Sequence, residues 1–173
     1  YITLLAAFQI LLSRYSGQED IAVGSPTAGR SISELEGLIG YFLNTLVLRG
    51  DLSNNPTFRE FLRRMRDVAL EAYAHQDVPF EKLVEELAPA RDMSRNPLFQ
   101  VMFVLQNVPD AALEMDGLKV NSLPVESHSA KFDLTLSVRE SAQGFQTNWE
   151  YATDLFDADT VKRMARHFER LLE

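Results

Sequence analysis

The decapeptide LFQVMFVLQN, residues 98–107, places the tightest constraint on the fold of this chain. It is nearly continuous in apolar residues, so an extended conformation offers apolar side chains to both sides of a sheet and needs cover on both. That predicts a central strand.

Other segments read as its neighbours. In KFDLTLSVRE, residues 131–140, Phe132, Leu134, Leu136 and Val138 alternate with Asp133, Thr135, Ser137 and Arg139, the period of a half-buried strand. GFQTNWEYA repeats that period through Phe145, Thr147, Trp149 and Tyr151, and the SAQG between the two reads as a hairpin turn. DIAVGSP, residues 20–26, reads as a short buried strand. YFLNTLVLRG, residues 41–50, puts Phe42, Asn44, Leu46 and Leu48 on one face and Leu43, Thr45, Val47 and Arg49 on the other. LKVNSLPV is a weaker strand interrupted by Pro124. The connection over residues 25–40 is longer than a compact domain requires, which marks it as a candidate functional loop.

Helical periodicity fills the gaps. Leu4, Leu5, Phe8, Leu11, Leu12 and Tyr15 predict an opening helix buried on most sides and ended by Ser16 and Gly17. Phe58, Phe61, Leu62, Met65, Val68, Ala69 and Ala72 form one stripe of a second helix, with Thr57 and Glu60 spaced as a capping box. Pro79 suits the first turn of a third helix, because its missing N–H is not needed there. Phe156, an Asp157 cap and Val161 open a closing helix whose apolar face is Val161, Met164, Ala165, Phe168, Leu171 and Leu172. Helices and strands are mixed in order, with no repeat.

A chain of 173 residues with 46% hydrophobic and 24% charged content is long enough for one core. Its net charge of −8 opposes attraction to nucleic acid or an anionic membrane surface. With no cysteine there is no disulfide, thiolate nucleophile or sulfur-ligated metal, which is compatible with the cytoplasm. The first apolar run is too short to span a bilayer and lacks the marks of a signal peptide. Starting at Tyr1 and stopping at Glu173, each inside a helical pattern, the sequence reads as a piece of a longer polypeptide.

His75, His128 and His167 stand far apart, and no H-E-x-x-H pair, nucleophile elbow, phosphate loop or dinucleotide glycine run is present. His75 is the tempting base beside Asp77, but a helix end with Asp77 capping the next helix explains both residues without a substrate. His128 sits in a polar loop before a strand, and loops of that kind carry binding residues or exposed histidines alike. His167 falls among charged residues and faces solvent. Asn44, an amide in an apolar strand, requires a hydrogen-bond partner, either backbone or substrate. Arg30 is suited to clamp an anion or to make an internal ion pair.

Taken together, GLIGYFLNTLVLR, AHQDVPFEKLVEEL and RDMSRNPLFQVMFVLQN resemble, in order and spacing, three successive signature motifs of the condensation domains of non-ribosomal peptide synthetases. SRYSGQEDIAVGSPTAGR, AKFDLTLSV and the closing WEYATDLFDADTVKRMARHFERLL are similar to the same family, so the resemblance covers essentially the whole chain. It implies an α/β, two-layer α+β fold like that of chloramphenicol acetyltransferase and other coenzyme-A-dependent acyltransferases. Within that fold, residues 1–173 would be the C-terminal subdomain, a mixed sheet with packed helices.

The family joins a carrier-bound acyl or peptidyl thioester to the amine of a carrier-bound aminoacyl group. Both substrates ride on 4'-phosphopantetheine arms, and no cofactor is bound directly. The implied partners are the N-terminal half of the domain, upstream and downstream peptidyl carrier proteins and an adjacent adenylation domain. The family's His-His-x-x-x-Asp-Gly motif is not in these residues, so the segment alone is expected to be inactive, with no catalytic residue and no metal ligand. The resemblance points Asn44, Arg30 and His128 toward the substrate tunnel. It makes the loop around Arg30 a floor between the halves, and the hairpin of residues 131–151 a latch. Gly40, Thr45, His75, Gln76, Asp77, Pro79, Phe80, Arg91, Asp92, Arg95, Asn96 and Pro97 would be motif scaffold. A carrier-docking module without chemistry and a freestanding acyltransferase of the same fold are the alternatives.

Overall fold

Alternation along five segments builds one mixed sheet. The computed structural model describes residues 1–30, 33–35, 37–87, 95–106, 118, 129–141 and 144–173. Helix α1 (Ile2–Ser16) leads into β1 (Asp20–Thr27), followed by β2 (Asn44–Asp51), α2 (Phe58–Ala74) and α3 (Phe80–Leu87). Then come β3 (Val101–Gln106), β4 (Leu134–Ser141), β5 (Gly144–Tyr151) and α4 (Ala158–Leu172). The strand order is β2-β1-β3-β4-β5, antiparallel at both ends and parallel from β1 through β3 to β4. The apolar decapeptide thus supplies the central strand, with Phe103 buried on one face and Met102 on the other.

Helices α1, α2 and α4 cover one face. On β1 to β4 alternate residues turn toward them, Ile21 and Val23, Leu46 and Leu48, Phe103, then Leu134, Leu136 and Val138, all buried. The Phe8 ring anchors this layer, edge-on to Trp149 at 5.8 Å and to Phe168 at 6.2 Å, and tilted against Phe103 at 5.9 Å. Such ring pairs add to the free energy of apolar burial. Gln9 lies fully buried among them, its Nε2 donating to the carbonyls of Leu48 (3.0 Å) and Ile21 (3.2 Å). Gly50 leaves room for that amide, because a Cβ there would lie 2.8 Å from Gln9 Oε1. The capping box is present, with Thr57 Oγ1 accepting from Glu60 N–H and the Glu60 carboxylate accepting from Thr57 N–H.

Four local expectations are corrected. Strand β2 begins at Asn44 rather than Tyr41, because its ladder with β1 stops at the pair Thr27 and Asn44. Tyr41 and Leu43 are therefore exposed. Phe145 is exposed at the hairpin tip, beyond the helical cover. Leu171 and Leu172 are exposed in the last turn of α4. At the start of α4 the Asp157 side chain makes no cap bond, and its carbonyl instead accepts from Thr160 and Val161. The weaker strand around Pro124 lies outside the described residues.

Candidate functional site

The last residue of β1, Thr27, pairs with the first of β2, Asn44, and the α2–α3 corner packs beside that end of the sheet. Between them opens a cleft of about 330 Å³. One wall is Tyr41, Phe42, Leu43 and Thr45. The other is Gln76, Asp77 and Pro79 of the corner with Phe80 and Glu81 of α3, and Gly29 also lines the cleft.

Asn44 joins the two walls. Its Nδ2 donates to the carbonyls of Gln76 and Val78, both at 2.7 Å, and its Oδ1 accepts from Thr45 N–H (2.9 Å) and Phe80 N–H (3.1 Å). An asparagine side chain has two donor hydrogens and two acceptor lone pairs, and all four are occupied by backbone. Of the two readings left open for Asn44, the structure gives the backbone one. It also shows what caps α3. The Phe80 amide, an orphan donor of the first helical turn, is bound by a side chain thirty-six positions away. Asp77 does not fill that place, since α3 starts three residues later and the Pro79 carbonyl takes the Lys82 and Leu83 amides.

A second strut lies alongside, where Thr27 Oγ1 donates to Gln76 Oε1 at 2.9 Å. Further along that side of β1, the Tyr1 hydroxyl donates to Ser25 Oγ at 2.6 Å beside the Tyr73 ring. Burial pushes both phenols above the ordinary tyrosine value, most strongly Tyr1, and keeps them as neutral donors. Behind the cleft, the Phe80 ring packs T-shaped on Phe99 at 5.6 Å, and Phe99 on Phe132 at 5.4 Å.

Arg30 is occupied by its own loop. Its guanidinium donates to the carbonyls of Leu35 and Leu38 (2.9 Å to Leu38) and lies 4.5 Å from the centre of the Phe42 ring. Gly29 makes this turn possible, since its φ is +61° and a Cβ would fall 1.8 Å from the Phe42 carbonyl oxygen. Gly40 leaves space for the same ring.

The remaining residues separate into groups. His75 ends α2, its N–H donating to Ala72 O and its carbonyl accepting from Val78 N–H while the imidazole is exposed. His167 is exposed with Nδ1 2.9 Å from the Tyr15 hydroxyl. Arg95, Asn96 and Pro97 turn the chain into β3, where Asn96 Nδ2 donates to Lys131 O and the Pro97 carbonyl accepts from Phe99 N–H. His128, Arg91 and Asp92 lie outside the described residues. Asn44, Thr45, Gln76, Asp77, Pro79 and Phe80 therefore meet at one cleft, and Arg30 shapes the loop entering it. The sequence reading missed Gly29, Tyr41, Phe42, Leu43 and Glu81 as lining residues; the adjacency of Phe42 and Leu43 to Asn44 was the available signal.

The cleft is lined by the amides of Asn44 and Gln76, the hydroxyls of Tyr41 and Thr45 and the carboxylates of Asp77 and Glu81, with the Phe42 and Phe80 rings beside them, and His75 is not among its lining residues. Such a set can bind and orient a ligand. Among the described residues no group of three or more His, Asp or Glu is arranged to hold a metal ion, and no helix is long and apolar enough to cross a membrane.

The family model described as "Condensation domain" matches residues 1–173. Tyrocidine synthase 3 of Brevibacillus parabrevis is 49% identical over 172 residues, covering 99% of this chain and 3% of that protein. The chain thus spans only a small part of the curated relatives it matches. Among solved structures, the X-domain from teicoplanin biosynthesis is 34% identical with a TM-score of 0.88, over 99% of this chain and 40% of that one. A four-domain nonribosomal peptide synthetase bound to AMP and glycine is 26% identical with a TM-score of 0.88, over 99% of this chain and 14% of that one.

Proposed function

This chain belongs to the condensation-domain family, and from that premise we propose that residues 1–173 form the C-terminal half of a domain that makes amide bonds in a non-ribosomal peptide synthetase. The observation that carries the reading is the convergence of two family-like segments, around Asn44 and around Gln76 to Phe80, on one cleft that can orient a ligand and has no histidine in its lining. The amine of an aminoacyl thioester attacks the carbonyl carbon of an acyl or peptidyl thioester. The C–N bond forms, the C–S bond breaks, the pantetheine thiol leaves, and the ammonium proton passes to a base.

That base is assigned to the double-histidine motif of the other half, which these residues do not contain. Reacting groups delivered on tethers gain chiefly from orientation, so a half-site without a base still contributes to rate. The partners that fit are carrier proteins bearing 4'-phosphopantetheine and a neighbouring adenylation domain, and the compartment that fits is the cytoplasm.

The test is a condensation assay with two loaded carrier proteins, read by mass spectrometry. It compares the 173 residues alone with the same residues joined to the double-histidine half. Product only from the joined protein supports the reading; product from the 173 residues alone overturns the split site.

A second reading has one observation in its favour. The X-domain relative has also been solved in complex with OxyB, at 32% identity and a TM-score of 0.85 to this chain. A domain that contains this fold can therefore bind another protein. Carrier binding with no product from the joined protein is the outcome that selects that reading.

A further inference from the structure

Helix α3 is an insecure element to use as a wall. It has eight residues and none of them is buried; Leu83 and Val84 reach half-burial and Leu87 is exposed. A helix this short has no independent stability in water. Among the described residues, the bonds and ring contacts that tie it to the sheet gather at its first turn: the Phe80 ring on Phe99, and the bonds from Asn44 to the corner and to Phe80 N–H. Asn44 itself is fixed, because it opens β2 opposite Thr27 and ties its Oδ1 to the next amide.

Resting on the condensation reading, we propose that Asn44 is a positioning residue that sets the spacing between the two walls of the cleft, and thereby the affinity for the pantetheine-tethered substrate. Only a side chain carrying two donors and an acceptor on one short stem can make this bracket. Aspartate keeps the bonds to the Thr45 and Phe80 amides but turns an oxygen toward the Gln76 and Val78 carbonyls. Alanine leaves those two carbonyls and the Phe80 amide without the partner Asn44 supplies.

The kinetic signature follows from a population argument. A loosened wall lowers the fraction of molecules competent to bind, and apparent affinity falls by that fraction, while saturating substrate restores the closed arrangement. In the protein joined to its double-histidine half, Asn44→Ala should raise KM for the carrier-bound substrate about tenfold and lower kcat by less than about twofold. Thr27→Val, which removes only the strut to Gln76, should shift KM the same way by about twofold. Asn44→Asp should resemble alanine at neutral pH and recover as its carboxyl protonates and regains one donor.

Hydrogen exchange supplies a readout independent of activity. In the 173-residue chain, Asn44→Ala should speed exchange of the α3 amides while those of β3 and β4 stay protected. Loss of kcat with α3 exchange unchanged would mean that Asn44 acts on substrate directly and overturns the proposal. Unchanged exchange in Asn44→Ala overturns it as well, whatever the assay shows. If the unmutated joined protein makes no product, the condensation reading falls, and α3 exchange alone decides the bracket.

Discussion

Gly24 in β1 and Phe99 before β3 fit as notch and plug: a Cβ on Gly24 would lie 2.3 Å from Cε2 of the Phe99 ring. Because Phe99 also carries Phe80 and Phe132, the missing side chain of one strand residue sets the depth at which the cleft wall is seated. Gly24→Ala should destabilise the chain by about 1–3 kcal/mol, the usual cost of overpacking. Urea denaturation checks this, and Phe99→Leu placed on the Gly24→Ala background should recover part of the loss; an additive double mutant would break the argument.

Gly29 answers a different demand, a left-handed backbone at φ +61° pressed against the Phe42 carbonyl. Any side chain there forces the loop away and frees the Arg30 guanidinium from the Leu38 carbonyl and the Phe42 ring. Trypsin cutting after Arg30 reads this directly. The bond should be cleaved several-fold faster in Gly29→Ala than in the unmutated chain, with cutting after Arg14 in α1 unchanged.

Periodicity exposed the elements that depend on local pattern. The central position of β3, the inward set Leu134, Leu136 and Val138, and the Thr57–Glu60 box were all readable because burial or bonding repeats within a few residues. The relations that build the cleft were not. Asn44 meets Phe80 across thirty-six positions, and Gly24 meets Phe99 through space. Neither of these leaves a local spacing to find. Tyr41 and Phe145 had strand-like alternation but no cover, since pattern alone does not say where a partner strand or a helical layer stops.

The capping box should weaken in acid. The Thr57 hydroxyl and amide hold the Glu60 carboxyl below its ordinary value of 4.5. A lowered folded-state value means that the box stabilises fully above the unfolded value and is lost as pH falls through the folded one. Thr57→Ala should cost about 1 kcal/mol at neutral pH. The difference between mutant and unmutated chain should narrow as pH drops below 4.5, measured as urea midpoints across an acid series. A difference that holds constant down that series would show that the bonds to the Glu60 carboxylate do not carry the effect.

The loop that runs into the cleft carries apolar side chains open to solvent: Ile39 is fully exposed, Tyr41 is 87% exposed, and Leu38 and Leu43 are each more than half exposed. Large apolar side chains gathered on one loop favour burial against another surface. If the condensation reading holds, that surface belongs to the rest of the domain, and in its absence the same ridge is left to find copies of itself. The 173-residue chain should therefore sediment as a concentration-dependent mixture, and Ile39→Lys with Tyr41→Lys should shift it toward monomer without lowering its urea midpoint by more than about 0.5 kcal/mol equivalent, as expected for exposed positions. Joined to the double-histidine half, the unmutated protein should sediment as a monomer. Self-association that survives both the lysine substitutions and the joining would place the sticky surface elsewhere and detach this ridge from any role in pairing the halves.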